Sequence, residues 1–151
     1  MPEICNTIPE DHKLITKVSI IERSKVFYPL RFAIQKRDII FNEALALTII
    51  PLPDDVNYPA STKSNDAGQL WDYRVQVTTN NQNPVTSAEL FRFLNKKVIV
   101  VLHHNAGRII LGCNEMPLQF SYSDDNTSNP ASTSGFTVEC TGNSIIPKVL
   151  R

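Results

Sequence analysis

Apolar and polar residues alternate with a period of two along much of this chain, and that repeat predicts strands. From Lys25 to Ile34, Val26, Tyr28, Leu30, Phe32 and Ile34 share one parity, with Phe27, Pro29, Arg31 and Ala33 on the other. This is a strand pattern, and Pro29 would push it toward a sheet edge or a bulge. Ile39 to Leu52 places Leu45, Leu47 and Ile49 on one parity before Pro51-Leu52-Pro53; it reads as a strand, with a helical turn over Glu43 to Leu47 as the alternative. Residues 53–69 are rich in Pro, Asp, Asn, Ser and Lys, with only Val56 and Tyr58 as sizeable apolar anchors, and predict an exposed loop or arm. Leu70 to Thr79 then alternates cleanly, and its Trp71, Tyr73, Val75, Val77 side is expected to face a core.

One helical signal follows. Thr86 and Glu89 stand three apart as a capping box, and Leu90, Phe91 and Leu94 recur at helical spacing, which predicts a short helix near 87–95 with Lys96-Lys97 at its C-terminal end. Phe91 and Trp71 are expected on the same side of the core. The β-branched run Val98 to Leu102, the turn residues Asn105-Ala106-Gly107 and the apolar run Arg108 to Leu111 predict a β-hairpin. Pro117 to Ser123 and Gly135 to Thr141 alternate again, while 124–134 holds no large apolar residue and reads as a long solvated connection. The expected fold is mainly β (α+β), an antiparallel β-sandwich or barrel with one short helix near 87–95. Residues 1–151 are expected to form a single domain, with segment 1–22 peripheral and long loops at 53–69 and 124–134.

Composition narrows the function classes. At 151 residues, 42% hydrophobic and 20% charged, the chain can bury a core and is not of disordered composition. Fifteen cationic and fifteen acidic side chains cancel, which disfavours a general cation-driven binder and does not indicate DNA contact. The asymmetry is local: residues 12–37 hold Lys13, Lys17, Arg23, Lys25, Arg31, Lys36 and Arg37 against Glu22, with Asp38 adjacent. Such a basic face suits DNA or an acidic protein surface, and a solvated or subunit-facing patch is the favoured expectation. No apolar run is long enough to cross a bilayer, and no signal peptide is expected. Cys5, Cys113 and Cys140 are odd in number and lack CxxC spacing, so neither a disulfide framework nor a zinc site is suggested.

Candidate chemistry is sparse. His103-His104 are adjacent, but neighbours on a strand point to opposite faces, so one ion cannot easily take both. Asp54-Asp55 and Asp124-Asp125 lack the glycine and terminal glutamate of a calcium loop and read as solvated loop charge. Cys113 and Cys140 sit in apolar strand settings and read as small core residues. No catalytic, metal or cofactor constellation emerges, and the expectation is a non-enzyme without a cofactor.

From about Leu45 onward the chain resembles a group of small virion structural proteins of tailed phages and prophages of Bacteroidetes. The resemblance rests on ordered pieces: Ile50-Pro51 leading into a polar arm, Ser64-Asn65-Asp66-Ala67-Gly68-Gln69-Leu70-Trp71, Ser87-Ala88-Glu89-Leu90, the Val98 to Leu102 strand, Gly107-Arg108, Leu111-Gly112, Met116-Pro117-Leu118, and Gly135-Phe136-Thr137-Val138 with Gly142. It covers roughly two thirds of the sequence and carries over no catalytic residue. The ending Ile145-Ile146-Pro147-Lys148-Val149-Leu150-Arg151 departs from the group's aromatic or His-Pro ending. The resemblance implies a capsid-neck or tail component, made in the host bacterial cytoplasm and located in the virion. Its expected partners are copies of itself in a ring and neighbouring virion proteins, with no membrane contact. Subunit-interface candidates on the two long polar segments are Val56, Tyr58, Lys63, Asp66, Asp124 and Asp125. The alternative is a small β-rich binding module recognising a protein or glycan.

Overall fold

The computed structural model describes residues 14–51, 55–65, 68–79, 84–124, 135–145 and 149–150. In chain order the strands are β1 (Ile15–Glu22), β2 (Leu47–Ile49), β3 (Val56–Asn57), β4 (Ala60–Asn65), β5 (Gly68–Thr79), β6 (Lys97–His104), β7 (Gly107–Leu111), β8 (Leu118–Asp124), β9 (Phe136–Ser144) and β10 (Val149–Leu150). The helices are α1 (Leu30–Ile34) and α2 (Pro84–Phe93). All strands belong to one antiparallel sheet, mainly β as expected, and the sheet is open, so the barrel alternative is excluded.

β6 organises the sheet. One of its edges pairs with β1; the other is shared, with β7 along Val100 to His104 and β8 at Lys97 and Val98. β8 continues through β9 to β5, which pairs with both β3 and β4. The two halves that diverge at β6 enclose one core. Val98, Val100 and Leu102 meet Val18, Ile20, Ile109 and Leu111 there, together with Tyr73, Val75, Val77, Phe120, Val138 and Cys140 from the other half and Leu90 and Phe93 from α2. On the opposite face Ile99 and Val101 join Ile21, Ile110 and Cys113 in a second core, covered by Tyr28, Ala33 and Ile39. A strand buried on both faces needs no polar alternation, which accounts for the unbroken Val98–Leu102 run.

Four expectations are corrected. Residues 25–34 are not a strand: the Pro29 carbonyl accepts from Phe32 N–H at 2.9 Å, and a short helix follows. It closes at Lys36 (φ 55), with Lys36 N–H donating to the Ala33 carbonyl at 3.1 Å and Arg37 N–H to the Phe32 carbonyl at 2.9 Å, a Schellman end. The N-terminal segment is not peripheral from residue 15 on, because β1 lies against β6. Its Val18 and Ile20 face one core and its Ile21 the other, so burial on both faces hides the alternation. Of 53–69, most of the described part is strand rather than loop, β4 pairing with β5 from Ala60↔Tyr73 to Asn65↔Gly68. Finally, α2 begins at Pro84, so Thr86 lies inside it; Leu90 and Phe93 are buried, whereas Phe91 is 68% exposed and shares no core with Trp71.

The 39–52 stretch takes both readings in succession, a turn over Glu43–Leu45 and then β2. The turn is opened by Asn42 Oδ1 accepting from Ala44 N–H at 3.0 Å. The hairpin of β6 and β7 and the strands β5, β8 and β9 stand where the alternation put them.

Candidate interaction surface

The tempting histidines separate as strand geometry requires. His104 is buried, and its Nδ1 accepts from Ala106 N–H at 3.0 Å, closing the β6–β7 turn. His103 lies on the outer face in a cross-strand row with Lys17 of β1 and Arg108 of β7. Lys17 is held by Glu43 at 3.2 Å and Arg108 by Asp38 at 2.7 Å. Burial, then Lys17, then Arg108 push the His103 imidazole below its ordinary value. Its Nε2 lies 3.0 Å from Ser19 Oγ, which has the atoms of a base and a nucleophile. Ser19 is only 1% exposed, so this pair offers no surface to an outside substrate.

Cys140 in β9 and Cys113, just past the end of β7, are buried thiols, as their apolar surroundings suggested, and burial raises both above the ordinary cysteine value. Cys5 lies outside the described residues. Among the described residues no three His, Cys, Asp or Glu side chains converge on a metal position, and no helix is long and apolar enough to cross a membrane.

The interface candidates divide. Val56 and Tyr58 are half-buried against the chain's own core rather than standing free as anchors for another copy. Val56 pairs with Val77, and once β3 joins β5 its side chain has a partner within the fold. Lys63 lies in β4 opposite Leu70. Asp66 and Asp125 lie outside the described residues. Asp124 ends β8, paired with Phe136, which pairs with Thr79 of β5; the Asp55 carbonyl accepts from Thr78 N–H at 3.3 Å. The register thus brings Asp55 and Asp124, one member of each sequence-identified carboxylate pair, to the same end of the β8–β9–β5 half.

Two features of the surface escaped sequence reasoning. The β4–β5 hairpin outruns its neighbour: the β9 ladder on β5 stops at Trp71↔Ser144, so the pairs Lys63↔Leu70, Ser64↔Gln69 and Asn65↔Gly68 extend beyond it. Beside α2, an open groove of about 390 Å³ is lined by Leu47, Ile49, Thr79, Leu90 and the outward Ile50 and Val85.

The segment before and through α1 is held by the β7–β8 connection. Asn114 Oδ1 accepts from Tyr28 N–H, its Nδ2 donates to the carbonyls of Arg23 at 3.0 Å and Val26 at 2.9 Å, and Glu115 Oε2 accepts from Leu30 N–H at 2.7 Å. This clamp presents Phe27 outward, edge-on to Phe32 at 5.5 Å, with the Arg31 guanidinium 5.8 Å from the Phe27 ring and Arg37 4.9 Å from the Phe32 ring. Comparison of the chain with family models, with curated proteins and with solved structures finds no match.

Proposed function

We propose that this chain is a structural component of a tailed-phage virion, at the capsid neck or tail, assembling in multiple copies through β-surface contacts. The observation that carries the reading is the β4–β5 hairpin running past the end of β9. Core formation does not require those extra pairs, and Ser61, Thr62, Ser64 and Gly68 along the hairpin are exposed. A paired projection of this kind reaches a neighbour at lower ordering cost than a free loop. The Ser64–Trp71 piece of the resemblance falls on this same hairpin. Copies in a ring, contacts with neighbouring virion proteins and location in the particle belong to the same proposal.

The test is a shortened hairpin in which residues 64–69 are replaced by an Asn-Gly turn, favoured between paired strands. The expected outcome is an unchanged circular dichroism spectrum and loss of the protein from purified particles, read by quantitative mass spectrometry. Incorporation at the wild-type copy number would rule the hairpin out as an assembly arm. The groove beside α2 supports the second reading, a β-rich module recognising a protein or glycan; saturable binding by a protein absent from virions would favour it.

A further inference from the structure

Charge cancels over the chain but not along it. Residues 23–37 contain five cations, Arg23, Lys25, Arg31, Lys36 and Arg37, and no acid. All five are exposed. None forms an ion pair with a described carboxylate, and the acids nearby are engaged elsewhere: Glu22 with Lys96, Asp38 with Arg108 and Glu43 with Lys17, while Glu115 accepts from Leu30 N–H.

Two of these cations are gathered around aromatic rings. The Arg31 guanidinium lies 5.8 Å from the centre of the Phe27 ring and 5.5 Å from that of Phe32, and Arg37 reaches the Phe32 ring at 4.9 Å. The turn at Lys36 (φ 55) returns the chain to that ring, since Arg37 N–H donates to the Phe32 carbonyl at 2.9 Å. A ring attracts a guanidinium without neutralising it, so both arginines keep their charge and N–H donors for another partner. Phe27 stands edge-on to Phe32 at 5.5 Å and is 65% exposed, which leaves its ring open to further stacking. Asn114 and Glu115 fix the backbone beneath, so the cluster needs little ordering when a ligand arrives.

We infer that this face binds single-stranded nucleic acid, an unpaired base stacking on Phe27 while Arg31 and Arg37 donate to neighbouring phosphates. Arg23, Lys25 and Lys36 add sequence-independent attraction for the backbone. The inference stands independently of the assembly reading. Carboxylates of an acidic protein would answer the cations alone, whereas each nucleotide of a single strand brings both a phosphate and a flat ring. A duplex keeps its bases stacked away from Phe27, and α1, with five residues, is too short to lie along a major groove. The aromatic side chains are what sets this face apart from a merely solvated basic patch, and their place among the cations follows from the helix and turn that stand where the sequence suggested a strand.

The experiment is fluorescence anisotropy of a labelled oligothymidylate of about 12 nucleotides, within the usual site size for one small domain, titrated with the full chain. Wild type is expected to bind with an affinity that falls steadily as salt rises from about 50 to 200 mM. Arg31→Gln with Arg37→Gln should weaken binding and lower the slope of log affinity against log salt by about 1.4, the share of two phosphate contacts to a single strand. Phe27→Ala should weaken binding by about tenfold and leave that slope unchanged, because it removes stacking and no charge. Phe27→Trp should restore the affinity, and circular dichroism should be the same for every variant, since the substituted side chains are exposed or partly so. Absence of binding by wild type at about 50 mM salt overturns the inference. So does equal or tighter binding of a duplex of the same length, or Phe27→Ala that binds as wild type does. Displacement of the oligonucleotide by polyglutamate at equal charge, with the arginine variant losing both ligands and Phe27→Ala neither, would assign the face to an acidic protein instead.

Discussion

Asn114 holds a segment 86 residues earlier in the chain. Its amide accepts from Tyr28 N–H and donates to the Arg23 and Val26 carbonyls, and its own N–H donates to the Tyr28 carbonyl at 2.9 Å. Truncation to alanine strands partly buried backbone groups, so Asn114→Ala should cost about 2–4 kcal/mol, and Asn114→Asp, which keeps the acceptor and loses the donors, an intermediate amount. The shift of the urea midpoint measures both. A loss under about 1 kcal/mol would mean that burial of Tyr28 alone holds the segment. Nothing in Gly112-Cys113-Asn114-Glu115 announces this role, because asparagine in a turn is ordinary and its partners are remote. By contrast, the opposite orientations of His103 and His104 and the burial of Cys113 and Cys140 were legible, since strand parity and apolar surroundings are local properties.

Among the elements, those whose side chains face one core and one solvent side were readable in advance. β5, β8 and β9 alternate because their outer faces are free, and the β6–β7 hairpin is marked by its turn residues. Where a local rule is overridden, the reading fails. β1 is buried on both faces and so shows no polar alternation. The 25–34 stretch has strand alternation but is held as a turn and helix by Asn114 and Glu115 from across the fold. β4 is too polar to look like a strand and exists because β5 offers it an edge. Of the candidate surface, the basic segment was visible as sequence, but the approach of Asp55 to Asp124 needed the sheet register. Gly142 shows how tightly two strands can constrain one position. A Cβ there would meet Leu118 Cδ2 at 2.6 Å, the Pro117 carbonyl oxygen at 3.0 Å and Leu118 Cα at 3.2 Å. The last two are backbone atoms and cannot swing aside, so Gly142→Ala should destabilise by about 1–3 kcal/mol. An unchanged thermal midpoint would show that β8 and β9 can separate without penalty.

For the whole molecule, the buried titratable groups define a pH window of stability. His103 has its pKa lowered below 6.5 by burial and by Lys17 and Arg108. Between 6.5 and that lower folded value the unfolded chain binds more protons than the folded one, so its contribution is complete above 6.5 and is lost as pH falls. On the alkaline side the sign reverses. Cys113 and Cys140 are raised above 9.0 by burial, and Tyr73 is raised from 10.0 to about 12, burial outweighing its hydrogen bond with Ser144. Above pH 9 the unfolded thiols release protons that the folded ones retain, and above pH 10 the unfolded tyrosine does the same, so stability falls as pH rises. Urea midpoints should therefore be flat between about 6.5 and 9 and decline on both sides. His103→Gln should remove the decline between 6.5 and about 5, before the carboxylates begin to titrate, and Tyr73→Phe should reduce the fall above pH 10 while leaving the thiol contribution from pH 9. An acid limb that persists unchanged in His103→Gln would mean that the Lys17–His103–Arg108 row does not set the lower edge of the window, and that the ion pairs flanking it relax when the imidazole takes up its proton.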